Sequence, residues 1–245
     1  MCTLEKRGNV FILTLTGHGD EHRLSRALID EIHSAVHNIR SDPSATRSVL
    51  ITTAEGKFFC NGLDIVAART DPSLLEVMEA KFRSLVADLI SLPMPTIAAV
   101  TGHASGAGLG LAFSHDYVLM RRDRGFLYVP ELDVGLVVPA WYMPLIHLKI
   151  SSSAARRDVV LASAKVKAEE AVKMGIVDSA HDGAAETVQA AVRLGEELVK
   201  RAWDGNVYGR MRETLLRALK HHRMLGVGIV QSCNITPSII TKQII

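Results

Sequence analysis

The feature that most constrains the fold of this chain is an alternation of short β-branched apolar runs with helical patterns, from residue 10 to residue 129. Residues 10–16 (VFILTLT) and 48–53 (SVLITT) are rich in the residue types that favour strands. Between these runs, apolar side chains from Leu28 to Ile39 recur at helical spacing, and Pro43 stops the pattern. This alternation predicts an α/β fold.

The alternation continues through the middle of the chain. Apolar residues within 78–89 form the buried stripe of an amphipathic helix, and a third strand is predicted at 96–101 (TIAAVT). Two more short strands are predicted at 116–120 and 126–129. This half of the chain is therefore expected to form the sheet and the helices that cover it.

The pattern becomes mostly helical from residue 151 onward. Helices are predicted at 154–164, 168–174, 184–200 and 207–223. We therefore expect a single domain over residues 1–225, with its core at about 1–150 and C-terminal helices at about 151–225. The apolar segment 226–245 is interpreted as a loosely ordered extension.

Composition excludes several classes of protein. The 28 lysines and arginines nearly balance 26 aspartates and glutamates, so the chain lacks the basic excess of a nucleic-acid-binding protein. Hydrophobic residues make up 48% and charged residues 22%, which excludes disorder. Cys2, Cys60 and Cys233 are too far apart in sequence for a disulfide framework or a CxxC metal site, which fits a reducing compartment. The apolar run at 10–16 is too short for a membrane span, and no transmembrane helix is predicted.

A glycine-bearing turn after the second strand is the first candidate for a functional site. In KFFCNGLDI (57–65), Gly62 allows a sharp turn, and Asp64 is predicted to open a short helix over 65–69. One interpretation is an ordinary strand–turn–helix corner with Asp64 as its N-cap. The other is a turn whose backbone N–H groups face an anionic group.

A second glycine-rich turn, TGHASGAGLGLAFSH (101–115), follows the third strand. Glycine destabilises a helix interior, so either a neighbouring element packs closely here or a ligand meets the backbone. The GxGxxG dinucleotide fingerprint, the P-loop and the GxSxG nucleophile motif are not met. If the second and third strands are neighbours, the two turns lie side by side, and two backbone N–H groups could bind one oxygen as an oxyanion hole.

Glu131 is the candidate for acid–base chemistry. It lies in an apolar run, VPELDVGLVVPAW (129–141), and apolar surroundings raise the pKa of a carboxyl towards the range of a general base. The alternative is a glutamate that points to solvent at the end of a strand.

Together, these segments resemble the enoyl-CoA hydratase/isomerase (crotonase) superfamily. FFCNGLDI is followed some forty residues later by AAVTGHASGAGLGLAFSHDY, and both are similar to motifs of that family. PELDVGLVVPAW resembles the catalytic segment of Δ3,Δ2-enoyl-CoA isomerases, and the nearest likeness is to the plant peroxisomal type. The resemblance covers roughly residues 5–222 and implies a crotonase-like spiral of ββα units with a helical C-terminal part.

The resemblance also implies roles for particular residues. Leu63 and Ala107 would supply the two backbone N–H groups of the oxyanion hole, and Glu131 would be the catalytic glutamate. Hydratases have a second glutamate three positions beyond the second hole residue, where this chain has Gly110. The residues expected to line the path of the acyl thioester are Cys60, Asn61, Gly62, Asp64, Gly106 and Pro130.

The activity implied by the resemblance is the shift of the double bond of a 3-enoyl-CoA to give 2-trans-enoyl-CoA during β-oxidation of unsaturated fatty acids. It needs no metal, nicotinamide or flavin, and coenzyme A is part of the substrate. A homotrimer or hexamer, assembled through the C-terminal helices, is expected. A peroxisomal location is implied, although the chain ends Thr-Lys-Gln-Ile-Ile rather than in an SKL-type signal, and the cytosol is the alternative.

Other interpretations remain open at this point. Another crotonase-type reaction on an acyl-CoA is one, either hydration or dienoyl isomerisation; Gly110 weighs against hydration, and no second acid is evident for the dienoyl reaction. A catalytically silent acyl-CoA-binding protein is the other, which the intact Glu131 disfavours.

Overall fold

The computed structural model describes residues 1–17, 21–69, 71 and 73–215 of the chain. Its strands are β1 (Cys2–Arg7), β2 (Val10–Leu15), β3 (Val49–Ala54), β4 (Phe58–Cys60), β5 (Thr96–Val100), β6 (His103–Ser105), β7 (Tyr117–Arg121), β8 (Leu127–Tyr128) and β9 (Ser179–His181). Its α-helices are α1 (Arg26–Ser41), α2 (Ser73–Ile90), α3 (Ala107–Phe113), α4 (Met143–Lys149), α5 (Ser153–Arg156), α6 (Ala168–Lys173), α7 (Gly183–Lys200) and α8 (Gly205–Leu215).

The main sheet has six strands in the order β1-β2-β3-β5-β7-β9, in which β1 pairs antiparallel with β2 and the other pairs are parallel. β3 and β5 are buried along their whole length, as is typical of parallel strands that are covered on both faces. Alternate residues of these strands belong to two hydrophobic clusters, one shared with α7 on one face and one shared with α1, α2 and α3 on the other. The α/β prediction is confirmed, and all five predicted strands are present to within one residue at each end.

A second sheet of three short parallel strands, in the order β4-β6-β8, stands beside the first. Each of these strands follows a strand of the main sheet and precedes a helical segment, so the chain repeats a strand–strand–helix unit. The predicted succession of ββα units is confirmed. β4 and β6 were not predicted, because runs of three residues are too short to show a strand period.

Several local predictions were wrong. The edge strand β1 was missed because it is mostly exposed and contains the charged residues Glu5, Lys6 and Arg7, so it shows no apolar run, and β9 was missed because it is only three residues long. The helix expected at 65–69 is a 3₁₀ turn at Ala67–Arg69. The helix expected at 154–164 is α5 followed by a π-helical turn that ends at Leu161.

Two of the predicted C-terminal helices begin within two residues of the predicted positions, α7 at Gly183 and α8 at Gly205. α7 confirms the helix expected at 184–200, and its Gly195 lies against β3, where a Cβ would be 2.9 Å from Val49 Cγ1. α8 is anchored by Arg212, whose guanidinium forms an ion pair with Asp116 at the start of β7. The rest of the helix expected at 207–223, the boundary at 225 and the extension 226–245 lie outside the described residues. Among the helices that the structure describes, no helix is both long and apolar enough to cross a membrane.

Candidate active site

The two glycine-bearing turns meet at the end of the small sheet, because β4 and β6 pair in parallel. Gly62 has a φ of +80°, in the left-handed region that favours glycine. A Cβ at Gly62 would lie 3.0 Å from the Ser105 carbonyl oxygen and 3.4 Å from the Ala107 nitrogen. The first turn therefore touches the backbone of the second, as the oxyanion-hole hypothesis requires.

Close packing of the backbone explains the alternate glycines in the second turn. A Cβ at Gly108 would lie only 2.0 Å from the Cys60 carbonyl oxygen, and a Cβ at Gly102 only 2.2 Å from that of Lys57. Because real Cβ atoms do not approach backbone this closely, only glycine allows α3 to begin against β4. The glycines at 102 and 108 are therefore explained by close contact between the second turn and the backbone of residues 57–60.

Leu63 and Ala107 each present a backbone N–H group at this junction. Leu24 pairs with the residues on either side of Leu63, through hydrogen bonds from Leu24 N to Gly62 O (2.7 Å) and from Asp64 N to Leu24 O (3.3 Å). Ala107 is the first residue of α3, where an N–H has no partner within the helix. Within the described part of the chain neither N–H has an acceptor, and both residues are partly exposed. Two such donors side by side are suited to binding an anionic oxygen.

Glu131 follows β8 and lies against the second turn. A Cβ at Gly106 would be 3.5 Å from Glu131 Oε1 and 3.7 Å from the ring of Pro130. Gly106 has a φ of +51°, so glycine is favoured there by the backbone as well. The carboxyl group is thus next to the peptide that carries the Ala107 N–H.

The Glu131 carboxyl is largely buried, although the residue as a whole is partly exposed. Its Oε2 atom has no hydrogen-bond partner among the residues described. Burial raises the pKa of Glu131 to about 7, an effect that its own backbone N–H partly offsets. The carboxyl can therefore exist in either protonation state near neutral pH, which suits a group that must accept a proton and return it. The carboxyl group points towards Gly106 and its Oε2 atom is buried, so the alternative of a glutamate that points to solvent does not hold.

The space beside Gly110 is filled by aromatic rings. A Cβ at Gly110 would lie 3.1 Å from Tyr142 Cε2 and 3.2 Å from Phe82 Cζ. The Tyr142 side chain is buried, and its hydroxyl donates a hydrogen bond to the Gly106 carbonyl oxygen at 3.3 Å. Tyr142 was not predicted as a site residue, and the signal in the sequence that points to it is its place directly after the segment that contains Glu131.

The remaining predicted residues lie at the same junction, but several of their side chains are engaged elsewhere. Cys60 is fully buried, and its thiol donates to the His22 carbonyl oxygen. The Asn61 amide donates to Glu21 Oε2 at 2.7 Å, and Asp64 Oδ1 accepts the Ala67 N–H at 3.2 Å. These contacts fix the first turn. Any part that Asn61 takes in lining an acyl path would therefore come mainly from its backbone.

Comparison with known proteins identifies the family to which this chain belongs. Residues 5–224 match the family model described as Enoyl-CoA hydratase/isomerase, and the chain belongs to that family. The relative named "Enoyl-CoA delta isomerase 1, peroxisomal" from Arabidopsis thaliana is 66% identical over 222 residues, which cover 91% of this chain and 92% of the relative. "Enoyl-CoA delta isomerase 2, peroxisomal" from the same plant is 51% identical, over 88% of this chain and 92% of the relative.

A solved structure supports the fold. The probable enoyl-CoA hydratase from Mycobacterium tuberculosis aligns with a TM-score of 0.80 at 18% identity, over 90% of this chain and 92% of that chain. At this identity the likeness concerns the fold alone, and it confirms the crotonase-like architecture predicted from the sequence.

Proposed function

We propose that this protein is an enoyl-CoA delta isomerase that converts 3-enoyl-CoA to 2-trans-enoyl-CoA in the oxidation of unsaturated fatty acids. Relatives that carry the name enoyl-CoA delta isomerase, at 66% and 51% identity over most of both chains, support the reaction. The observation that carries the mechanism is the Glu131 carboxyl, buried and without a hydrogen-bond partner for Oε2 among the described residues, beside the paired N–H groups.

The proposed reaction begins with removal of a proton from C2 of the acyl chain. In a 3-enoyl thioester this proton is acidified, and its removal places negative charge on the thioester oxygen. The N–H groups of Leu63 and Ala107 would stabilise that charge, and one such donor is typically worth about 3–4 kcal/mol in the transition state. Glu131 would take the C2 proton as the general base.

The second half of the reaction uses the same carboxyl. Negative charge in the dienolate extends to C4, and the protonated Glu131 delivers its proton there. The double bond is then conjugated with the thioester, and Glu131 is again ionised. With a pKa of about 7, this carboxyl is balanced for both transfers at neutral pH. The mechanism requires no metal or redox cofactor, and coenzyme A serves as the carrier portion of the substrate.

Hydration is disfavoured because the space around Gly110 is already occupied by aromatic side chains. Adding water across a double bond requires one group to activate the water and another to manage the returning proton. The place where hydratases are expected to hold the second acid is Gly110, against which Tyr142 and Phe82 are packed. We therefore expect little or no hydration of crotonyl-CoA.

Assembly and location are part of the proposal. We expect a homotrimer or hexamer, and light scattering at micromolar concentration should give a mass of at least three chains of 26.7 kDa. A mass of one chain would contradict this. A peroxisomal location is supported by the names of the two Arabidopsis relatives.

The test of the function is Glu131→Gln, which preserves the size of the side chain but cannot accept a proton. Isomerisation of 3-hexenoyl-CoA should fall by roughly 10²–10⁴-fold in kcat, whereas KM should change little because the carboxyl does not hold the CoA portion. Asp133→Asn is a matched control, since it removes an exposed carboxylate two residues away and should leave kcat within about threefold.

Each alternative gives a different result in these assays. Near-wild-type kcat in Glu131→Gln would place the base elsewhere. A wild-type protein that binds acyl-CoA tightly without isomerising it would be a silent binding protein. Formation of 3-hydroxybutyryl-CoA from crotonyl-CoA as fast as 3-hexenoyl-CoA isomerises would mean that the single-acid mechanism is wrong.

A further inference from the structure

The hydroxyl of Tyr142 lies one peptide bond away from the proposed oxyanion hole. Tyr142 immediately precedes α4, and its side chain is buried against Gly110 and next to the ring of Trp141. Its hydroxyl donates a hydrogen bond to the carbonyl oxygen of Gly106. That carbonyl and the N–H of Ala107 belong to the same peptide unit.

We propose that Tyr142 is a positioning residue that orients and polarises the Gly106–Ala107 peptide, so that the Ala107 N–H binds the thioester oxygen more strongly. This inference rests on the proposed isomerase function. Tyr142 lies outside the oxyanion hole, and its hydroxyl would determine how strongly the Ala107 N–H binds the substrate oxygen.

The orientation of this peptide needs support from outside the turn. Gly106 has φ +51° and ψ −121°, a conformation that glycine adopts at little cost. Because glycine adopts many other conformations as readily, contacts with neighbouring groups must fix this one. Two hydrogen bonds hold the Gly106 carbonyl, one from the Gly110 N–H at 3.1 Å and one from the Tyr142 hydroxyl at 3.3 Å. The first comes from α3 itself, and the second ties the peptide to Tyr142, the residue that precedes α4.

Polarisation follows from the same contact. A hydrogen bond to a carbonyl oxygen draws electron density towards that oxygen and makes the N–H of the same peptide a stronger donor. The effect is larger in surroundings of low dielectric constant, and Tyr142 is buried. As negative charge develops on the substrate oxygen, the chain of hydrogen bonds from Tyr142 through the peptide to that oxygen would strengthen as a unit.

Tyr142 is suited to remain a donor throughout the reaction. Burial raises its pKa well above the ordinary value, and the nearby Glu131 carboxylate acts in the same direction. The hydroxyl therefore keeps its proton at any pH at which Glu131 works. Because it donates to the Gly106 carbonyl rather than into open space, a direct proton transfer from Tyr142 to the substrate is not what the geometry indicates.

Tyr142→Phe tests the proposal because it removes the hydroxyl and keeps the ring that packs on Gly110. We expect kcat for 3-hexenoyl-CoA to fall about tenfold, less than the 10²–10³-fold typical of removing a direct donor, with KM within about twofold. The pH at which activity rises should not move, since Glu131 is unchanged. In infrared difference spectra of bound 2,4-hexadienoyl-CoA, the thioester carbonyl band should shift to higher frequency, because the carbonyl is less polarised.

Tyr208→Phe is the matched control. Its hydroxyl donates to Asp116 Oδ2 at 3.0 Å, at the opposite end of β7 from the site, so its loss tests the general effect of removing a half-buried, hydrogen-bonded tyrosine hydroxyl. This variant should leave both kcat and the carbonyl band unchanged. If Tyr142→Phe does not fold, replacement of Tyr142 by 3-fluorotyrosine, whose hydroxyl is a stronger donor, should shift the band to lower frequency.

The results that would overturn the proposal are specific. An unchanged carbonyl band in Tyr142→Phe, with or without a loss of kcat, would leave Tyr142 a packing residue only. A moved pH profile would mean that it acts on Glu131 instead. These outcomes differ from failure of the proposed function, in which the wild-type protein itself would not isomerise 3-hexenoyl-CoA.

Discussion

Replacing Glu131 by glutamine is expected to stabilise the folded protein while it removes the activity. Burial raises the pKa of the Glu131 carboxyl from its ordinary 4.5 to about 7. Each pKa unit corresponds to about 1.4 kcal/mol, so keeping this group ionised in the folded state costs up to about 3 kcal/mol above pH 7. Glutamine has nearly the same shape and no charge. Glu131→Gln should therefore raise the free energy of unfolding by up to about 3 kcal/mol at pH 8.

The gain should depend on pH in one direction. A carboxyl with a raised folded-state pKa contributes stability that is fully present below its unfolded pKa of 4.5 and is lost as pH rises through 7. The difference between variant and wild type should be small at pH 4.5, grow up to pH 7 and then level off. His115 acts oppositely, because burial lowers its pKa to about 4, so its contribution falls as pH drops below 6.5. The difference between the two proteins isolates Glu131, since both contain His115.

Urea unfolding followed by circular dichroism at pH 5, 6, 7 and 8 measures this difference, with both proteins at the same concentration. Asp133→Asn serves as the control, because Asp133 is exposed and its removal should give no comparable gain at pH 8. Equal unfolding free energies of Glu131→Gln and wild type at pH 8 would refute the reasoning. So would a difference that does not change with pH, since either result would mean that the carboxylate is well solvated or paired in the folded protein.

Three further outcomes are expected. The kcat/KM of the wild-type protein for 3-hexenoyl-CoA should rise about tenfold from pH 6 to pH 8, because Glu131 must be ionised to act as a base; a rise centred below pH 5 would contradict this. Gly108→Ala should lower stability by roughly 3 kcal/mol, measured by urea unfolding, because its Cβ would lie 2.0 Å from the Cys60 carbonyl oxygen. Gly209→Ala, with its nearest neighbour at 3.4 Å, should be tolerated, and an equal loss in both would argue against the close contact. In the Glu131→Gln background, the unfolding free energy should fall by up to about 3 kcal/mol as pH drops from 6.5 to 4, whereas a curve that stays flat would mean that His115 is not buried as a neutral ring.

The large sheet could be predicted from the sequence because its strands carry a strong signal. β2, β3 and β5 are apolar runs rich in β-branched residues, and a parallel sheet that is covered on both faces requires such runs. The small sheet gave no such signal. β4 and β6 are three residues each, and their pairing depends on how the larger strands are ordered in space.

The candidate site was predicted in its parts, whereas its assembly required the structure. Glycines 62, 106 and 108 stand out in the sequence because glycine permits a sharp turn and destabilises a helix interior, but only the structure shows that each faces the backbone or side chain of another segment. The raised pKa of Glu131 was expected from its apolar neighbours and agrees with its burial. Tyr142 could not be found in this way, because a tyrosine near the end of an apolar run is most often a packing residue, and its hydroxyl partner is 36 positions away.

We expect the choice between isomerisation and hydration to depend on packing as well as on the identity of one residue. Gly110 stands where a hydratase is expected to carry its second acid, and the space that such a side chain would need is held by Tyr142 and Phe82. Tyr142 in turn is bonded to the Gly106 carbonyl of the proposed hole. A Cβ at position 110 would lie 3.1 Å from the Tyr142 ring, so the ring would have to move by a few tenths of an ångström to admit a side chain there. We therefore expect a second acid at position 110 to be accommodated best when Tyr142 is replaced at the same time.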